Sequence, residues 1–202
     1  MSSANSLPAA AIFDMDGVLV NSNPFHLQNW INLLNKYHIP YDREGLEKRL
    51  LGPRTETILR SIFGLKFNEE ELQRLSEEVE EQFRRVFRPH VKPLPGLTAL
   101  ITECHQAGIP MAVASSGLSK NVEFIVEALG FQPYFRCLIP GDDIERPKPH
   151  PEIYLKAAEV LGLDPAGCVA IEDSFVGVEA AKRAGMKCLA IASTFSARSV
   201  CV

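Results

Sequence analysis

No apolar run in this chain of 202 residues approaches the roughly 20 needed to cross a bilayer as a helix, so no membrane-spanning helix is expected. Basic residues are not in excess. Twenty-one lysines and arginines stand against 25 acids, a net charge of −4, which argues against electrostatic binding of nucleic acid. Cysteines are few and scattered: Cys104, Cys137, Cys168, Cys188 and Cys201. No pair has zinc-ligand spacing, and an odd number makes a poor disulfide framework. Repeats and low-complexity tracts are missing too. The stretch Met1 to Ala10 lacks a basic flank and reads as a short ragged terminus, not a signal peptide. These absences leave a cytoplasmic, monomeric protein of a reducing compartment, with no nucleic-acid or membrane partner, as the expectation.

What is present is enough apolar sequence for a large core: 46% hydrophobic against 23% charged residues. Ala10 to Phe13 reads as a buried strand that runs into acids and glycine. From Phe25 to about Phe87 the periodicity is helical. Phe25, Trp30, Leu33, Leu34 and Tyr37 fit one face, and Glu69 to Arg85 predicts an amphipathic helix carrying Leu72, Leu75, Val79, Phe83 and Val86 inward. A stiff proline-rich linker, Pro89 to Gly96, follows. Thereafter helices and strands alternate: helix 97–107, strand 110–114, helix 121–129, strand 136–139, helix 152–161, strand 168–171, helix 176–184 and strand 187–191. The strands are short and nearly all apolar, as strands buried on both faces should be. The expected fold is α/β: a Rossmann-like parallel sheet flanked by helices, with an all-helical cap inserted after strand 1. The predicted core comprises 8–21 and 94–202, and the cap 22–93, placed over the carboxyl ends of the strands, where such sheets bind ligands.

Polar residues cluster at those strand ends. Asp14 and Asp16, two apart, can face the same side of an extended chain, with Gly17 allowing the turn. Paired carboxylates beside an apolar strand call for a cation or a shared proton. They also suit an ordinary polar turn. Ser115, Ser116 and Gly117 offer hydroxyls and backbone N–H groups to an anion, or simply cap a helix. Lys148, between two prolines, is a rigidly placed point charge suited to phosphate, or a solvated loop lysine. Glu172 and Asp173 could complete an all-oxygen site for Mg²⁺, or cap the next helix. Taken together, at one sheet edge, they form an inventory for phosphoryl transfer, in which positioning and charge neutralisation dominate.

In this order and spacing, the four clusters resemble the haloacid dehalogenase superfamily over Ala10 to Thr194, and most closely its branch with a small helical cap, which includes β-phosphoglucomutase and many sugar-phosphate phosphatases. The resemblance implies that Asp14 is the nucleophile, forming an aspartyl-phosphate, and that Asp16 is the general acid and base. It implies phosphate binding by Ser115, with Ser116 and Gly117 beside it, and by Lys148. It implies Mg²⁺ held by Asp14, the backbone carbonyl of Asp16 and Asp173, with Glu172 as a ligand or a support. In the cap, the positions of His26 and Arg54 would face the substrate. The chain departs from the family in two places. Asn21-Ser22 stands where relatives usually carry an acid before the hydroxyl residue. The sequence also stops at Val202, where relatives usually add another strand and helix, so an uncovered sheet edge or apolar helix face is expected.

The expected function is a Mg²⁺-dependent phosphatase of a small phosphorylated metabolite, a sugar phosphate. The alternative is a β-phosphoglucomutase, which shares every one of these groups. Gly52-Pro53-Arg54 looks more like the phosphatase branch. A catalytically silent binding protein on the same scaffold is a further alternative. A receiver-type signalling module is disfavoured, because receivers carry their phosphate-accepting Asp on a middle strand of the chain. A dehalogenase is disfavoured because Asp16 would serve no purpose in it. A phosphonatase would need a marked cap lysine, and nothing marks Lys36, Lys48 or Lys66.

Overall fold

The computed structural model describes residues 7–50 and 55–193. The chain divides into two compact units, Met1–Asn21 with Lys92–Val202, and Ser22–Val91.

The first unit is built on a five-stranded parallel sheet. Its strands are β1 (Ala10–Phe13), β2 (Met111–Ala114), β3 (Phe135–Ile139), β4 (Cys168–Glu172) and β5 (Lys187–Ala190), in the order β3-β2-β1-β4-β5. Its helices are α5 (Leu97–Gln106), α6 (Ser119–Ala128), α7 (Glu152–Leu161) and α8 (Phe175–Arg183). The chain winds from β1 through β2 to β3, then crosses back to β4 and β5. With right-handed crossovers, α5 and α6 therefore lie on one face and α7 and α8 on the other. The reversal occurs around β1, where such sheets place their ligands.

The central strands carry no polar residue until β4 ends on Glu172, and β1 and β2 are wholly buried. Under them Ala157, Ala158, Ala180 and Ala181 let α7 and α8 approach the sheet closely. The expectation of strands buried on both faces fails at the rims. β3 is largely half-buried, and in β5 Leu189 is 53% exposed. Rim position follows from strand order, which local composition does not encode. Helix α6 begins at Ser119, two residues before the expected start. Asp142, from the turn after β3, accepts from the Ser119 backbone N–H at 2.8 Å and from its hydroxyl at 2.7 Å. A cap supplied from so far along the chain leaves no local signal.

The second unit contains helices α1 (Asn23–Lys36), α2 (Arg43–Leu50), α3 (Thr55–Phe63) and α4 (Glu69–Phe87). Leu27, Trp30, Ile31 and Leu34 of α1, Leu46 of α2, Ile58, Leu59 and Phe63 of α3, and Leu72, Leu75 and Val79 of α4 form one apolar cluster. The inward stripe of α4 ends on Phe87, not Val86, which is exposed. Phe87 continues the four-residue step from Val79 and Phe83, and its ring packs on Phe83 and Phe25.

Helix α4 opens with a capping box. The Asn68 side chain accepts from the Glu71 N–H at 2.9 Å, and the Glu71 carboxylate accepts from the Asn68 N–H at 2.8 Å. Asn68→Ala is expected to cost about 1 kcal/mol. Thermal unfolding followed by circular dichroism should show a Tm lower by roughly 2–4 °C.

Candidate active site

Strand register brings the predicted residues together. Phe13 is level with Val113 and with Ile171, so Asp14, one residue on, is level with Ala114 and Glu172. The ladder continues past the strand ends: Asp14 N–H donates to the Ile171 carbonyl and Ser115 N–H to the Ile139 carbonyl, each at 3.0 Å. These bonds fix the backbone from which the functional side chains project.

At the centre is Lys148. Its ammonium donates to Asp14 Oδ1 at 2.9 Å, to the Ala114 carbonyl at 3.2 Å and to Glu172 Oε1 at 2.6 Å. The solvated-loop alternative is therefore overturned: Lys148, Asp14 and Glu172 are all buried. Burial by itself would lower the lysine's pKa, but Asp14 and Glu172 override it and hold the group charged. Burial pushes Asp14 well above the usual carboxylate range. Lys148 opposes that shift, while Glu172, Asp173 and Asp16 add to it. Burial also acts to raise Glu172, but Lys148 and the hydrogen bonds from Ser174 and Tyr154 leave it below its ordinary value.

Glu172 is saturated. Oε1 accepts from Lys148 and from the Tyr154 hydroxyl at 2.8 Å, and Oε2 accepts from the Asp173 N–H, the Ser174 N–H and the Ser174 hydroxyl at 3.0 to 3.1 Å. Ser174 meanwhile caps α8, its Oγ accepting from the Gly177 N–H at 3.1 Å. Gly177 makes this close approach possible, since a Cβ there would stand 1.8 Å from Glu172 Oε1. Ligand oxygens of Asp14, Glu172 and Asp173 lie within 4.8 Å of one another, a set of hard donors able to hold a divalent cation. The Asp16 side chain is outside that set. Its Oδ2 faces the Ser115–Gly117 loop, 3.9 Å from where a Cβ on Gly117 would stand.

Ser115 is buried, and its Oγ accepts from the Gly117 N–H at 3.0 Å. The Ser116 carbonyl packs on Gly141, where a Cβ would meet it at 2.3 Å. His26 belongs to the helical unit, its ring stacked on Phe83 with centroids 3.7 Å apart. Arg54 lies outside the described residues. Tyr154, Ser174, Gly177 and Ser193 were not singled out from sequence. Ser193 donates to the Gly17 carbonyl and lies 3.4 Å from Asp173 Oδ2. Only Ser174 carried a readable signal, a serine immediately before an apolar helix.

The sequence pattern of the haloacid dehalogenase-like hydrolases matches residues 11–191. The chain belongs to that family. Over 178 residues this hydrolase is 33% identical to the fructose-1-phosphate phosphatase YqaB of Escherichia coli (strain K12), covering 88% of this chain and 93% of that one. It is 33% identical over 184 residues to the β-phosphoglucomutase of Bacillus subtilis (strain 168), covering 88% of this chain and 80% of that one. The crystal structure of a β-phosphoglucomutase from Clostridium difficile superposes with a TM-score of 0.83 at 28% identity, covering 91% of this chain and 84% of that one. This hydrolase is therefore an enzyme of the phosphoric monoester hydrolase type, in a group that includes sugar-phosphate phosphatases and phosphoglucomutases. Among its described residues no helix is long and apolar enough to cross a membrane.

Proposed function

We propose that the chain is a Mg²⁺-dependent phosphatase of a small phosphorylated metabolite, a sugar phosphate, acting through an aspartyl-phosphate on Asp14. The observation that carries this reading is the buried Asp14–Lys148–Glu172 constellation at the point where the sheet reverses direction. Asp14 is the one carboxylate beside Lys148 that is not saturated by backbone donors in the manner of Glu172.

In this reading the Asp14 carboxylate attacks phosphorus. The bond to the ester oxygen breaks as Asp16 gives that oxygen its proton, and the alcohol leaves. Lys148 turns from Asp14 toward the phosphate oxygens. Ser115 and the N–H groups of Ser116 and Gly117 bind the same group. Asp16, now ionised, takes a proton from a water that attacks phosphorus. The bond to Asp14 then breaks and inorganic phosphate is released. Bound Mg²⁺ would supply charge neutralisation between the Asp14 carboxylate and the phosphate dianion. Asp14, Asp173 and the Asp16 backbone carbonyl would hold it, with the saturated Glu172 behind them. The residues fit such an ion: Asp14 is pushed up by burial and by three neighbouring acids, a strain that a divalent cation relieves.

The test is phosphate release from p-nitrophenyl phosphate, with Mg²⁺ and with a chelator. Chelation should lower the rate by on the order of 10²-fold or more, and equal rates would overturn the metal assignment. A panel of sugar phosphates then ranks substrates. The second reading, favoured by the relationship to the B. subtilis mutase, is a β-phosphoglucomutase. Isomerisation of β-glucose 1-phosphate to glucose 6-phosphate, primed by a trace of the bisphosphate, would establish it, and failure to isomerise excludes it. The net charge of −4 and the free thiols of Cys104, Cys137, Cys168 and Cys188 accord with a cytoplasmic enzyme whose partner is a small phosphorylated molecule.

A further inference from the structure

Tyr154 has no role in the chemistry above, yet it touches two of its members. It sits on α7, fully buried, its ring part of the apolar layer beneath the sheet. Its hydroxyl and the Lys148 ammonium donate to the same oxygen, Glu172 Oε1, at 2.8 and 2.6 Å. The ammonium also lies 5.0 Å from the centre of the Tyr154 ring.

Lys148 has three N–H donors, and all three are placed: on Asp14, on the Ala114 carbonyl and on Glu172. It can bind a phosphate oxygen only by releasing one of them. The bond to Glu172 is the shortest, and Glu172 is pinned by three donors on its other oxygen. Lys148 therefore moves about Glu172 as a fixed pivot. An oxygen shared by two donors holds each less tightly than an oxygen given to one. Without the tyrosine hydroxyl, Glu172 Oε1 would draw the ammonium inward, away from the phosphate.

We propose that Tyr154 is a positioning residue which, through Glu172, sets how far the Lys148 ammonium reaches toward the phosphate group. The proposal rests on the reading of Lys148 as a phosphate-binding group.

The experiment compares wild type, Tyr154→Phe, Glu172→Gln, the double variant and Lys148→Arg. It measures the Kd of inorganic phosphate by calorimetry, and KM and kcat for p-nitrophenyl phosphate. Tyr154→Phe keeps the ring and removes one oxygen, so core packing is preserved. The phosphate Kd and KM should rise together by about fivefold, what one hydrogen bond of ordinary strength transmits, while kcat stays within about twofold. A lower kcat or Tm with unchanged Kd would mark a merely structural role and overturn the proposal. In the Glu172→Gln background the same change should have no further effect. Additive effects would show that Tyr154 does not act through Glu172, and overturn it as well. Lys148→Arg keeps the charge, but its planar fork cannot satisfy the same three acceptors. If that variant leaves the phosphate Kd unchanged, the reading of Lys148 fails. If it weakens phosphate while Tyr154→Phe does not, only the role of Tyr154 fails.

Discussion

Asp14→Asn is expected to give a folded protein whose kcat on any phosphate ester is lower by on the order of 10⁴-fold or more, because the neutral amide cannot form the aspartyl-phosphate. The fold should not suffer. Burial raises the Asp14 carboxyl pKa well above its unfolded value, with Lys148 opposing and Glu172, Asp173 and Asp16 adding. A carboxyl raised in this way contributes stability below its unfolded pKa and loses it as pH climbs through the folded one. With no cation bound, stability therefore declines as pH rises from the unfolded value toward the folded one. Asparagine removes that charge and keeps the shape, so in chelator the Tm of the variant should equal or exceed that of wild type. Added Mg²⁺ should raise the Tm of wild type by more than that of the variant, since one ligand carboxylate is gone. A variant that retains wild-type turnover would falsify the nucleophile assignment.

Gly177→Ala should fail for a reason opposite to intuition. Gly177 lies within α8, where alanine is ordinarily the better residue by about 1 kcal/mol. Here the added methyl would stand 1.8 Å from Glu172 Oε1 and 1.9 Å from Cδ. That carboxylate is fully buried and held by five donors, so it cannot step aside without breaking its pair with Lys148. Overpacking and disruption of a buried ion pair together cost about 3 kcal/mol or more. The clash outweighs the propensity gain. The Tm should fall by roughly 4–8 °C, and turnover should fall with it. A Tm that holds or rises would show that Glu172 has more freedom than its contacts indicate.

The alternation of short apolar strands with helices made the α/β architecture readable, because burial on both faces leaves little polar sequence in the central strands. Asp14, Ser115, Lys148 and Glu172 could be picked out for a related reason: polar residues that end an apolar strand or stand between prolines are conspicuous. Tyr154 was not, since with Ile153, Ala157 and Ala158 it reads as one apolar helical stripe and its hydroxyl has no partner nearby in sequence. Gly177 and Ser193 owe their importance to groups that only the folded chain brings near, as does the capping of α6 by Asp142. The shift from Val86 to Phe87 is a different kind of miss, a helical stripe followed one residue off its true step.

The placement of β1 has a consequence for how the chain is made. β1 is the innermost strand of its sheet, and Ala11 pairs with both Met111 and Val169. On the ribosome these partners emerge on the order of ten seconds after β1 does, at ordinary elongation rates. The helical unit, Ser22–Val91, is synthesised entirely within that interval. The apolar strand that leads into Asp14 must therefore wait for its partners in β2 and β4, and Asp14 takes its place level with Ala114 and Glu172 only after β4 has been made.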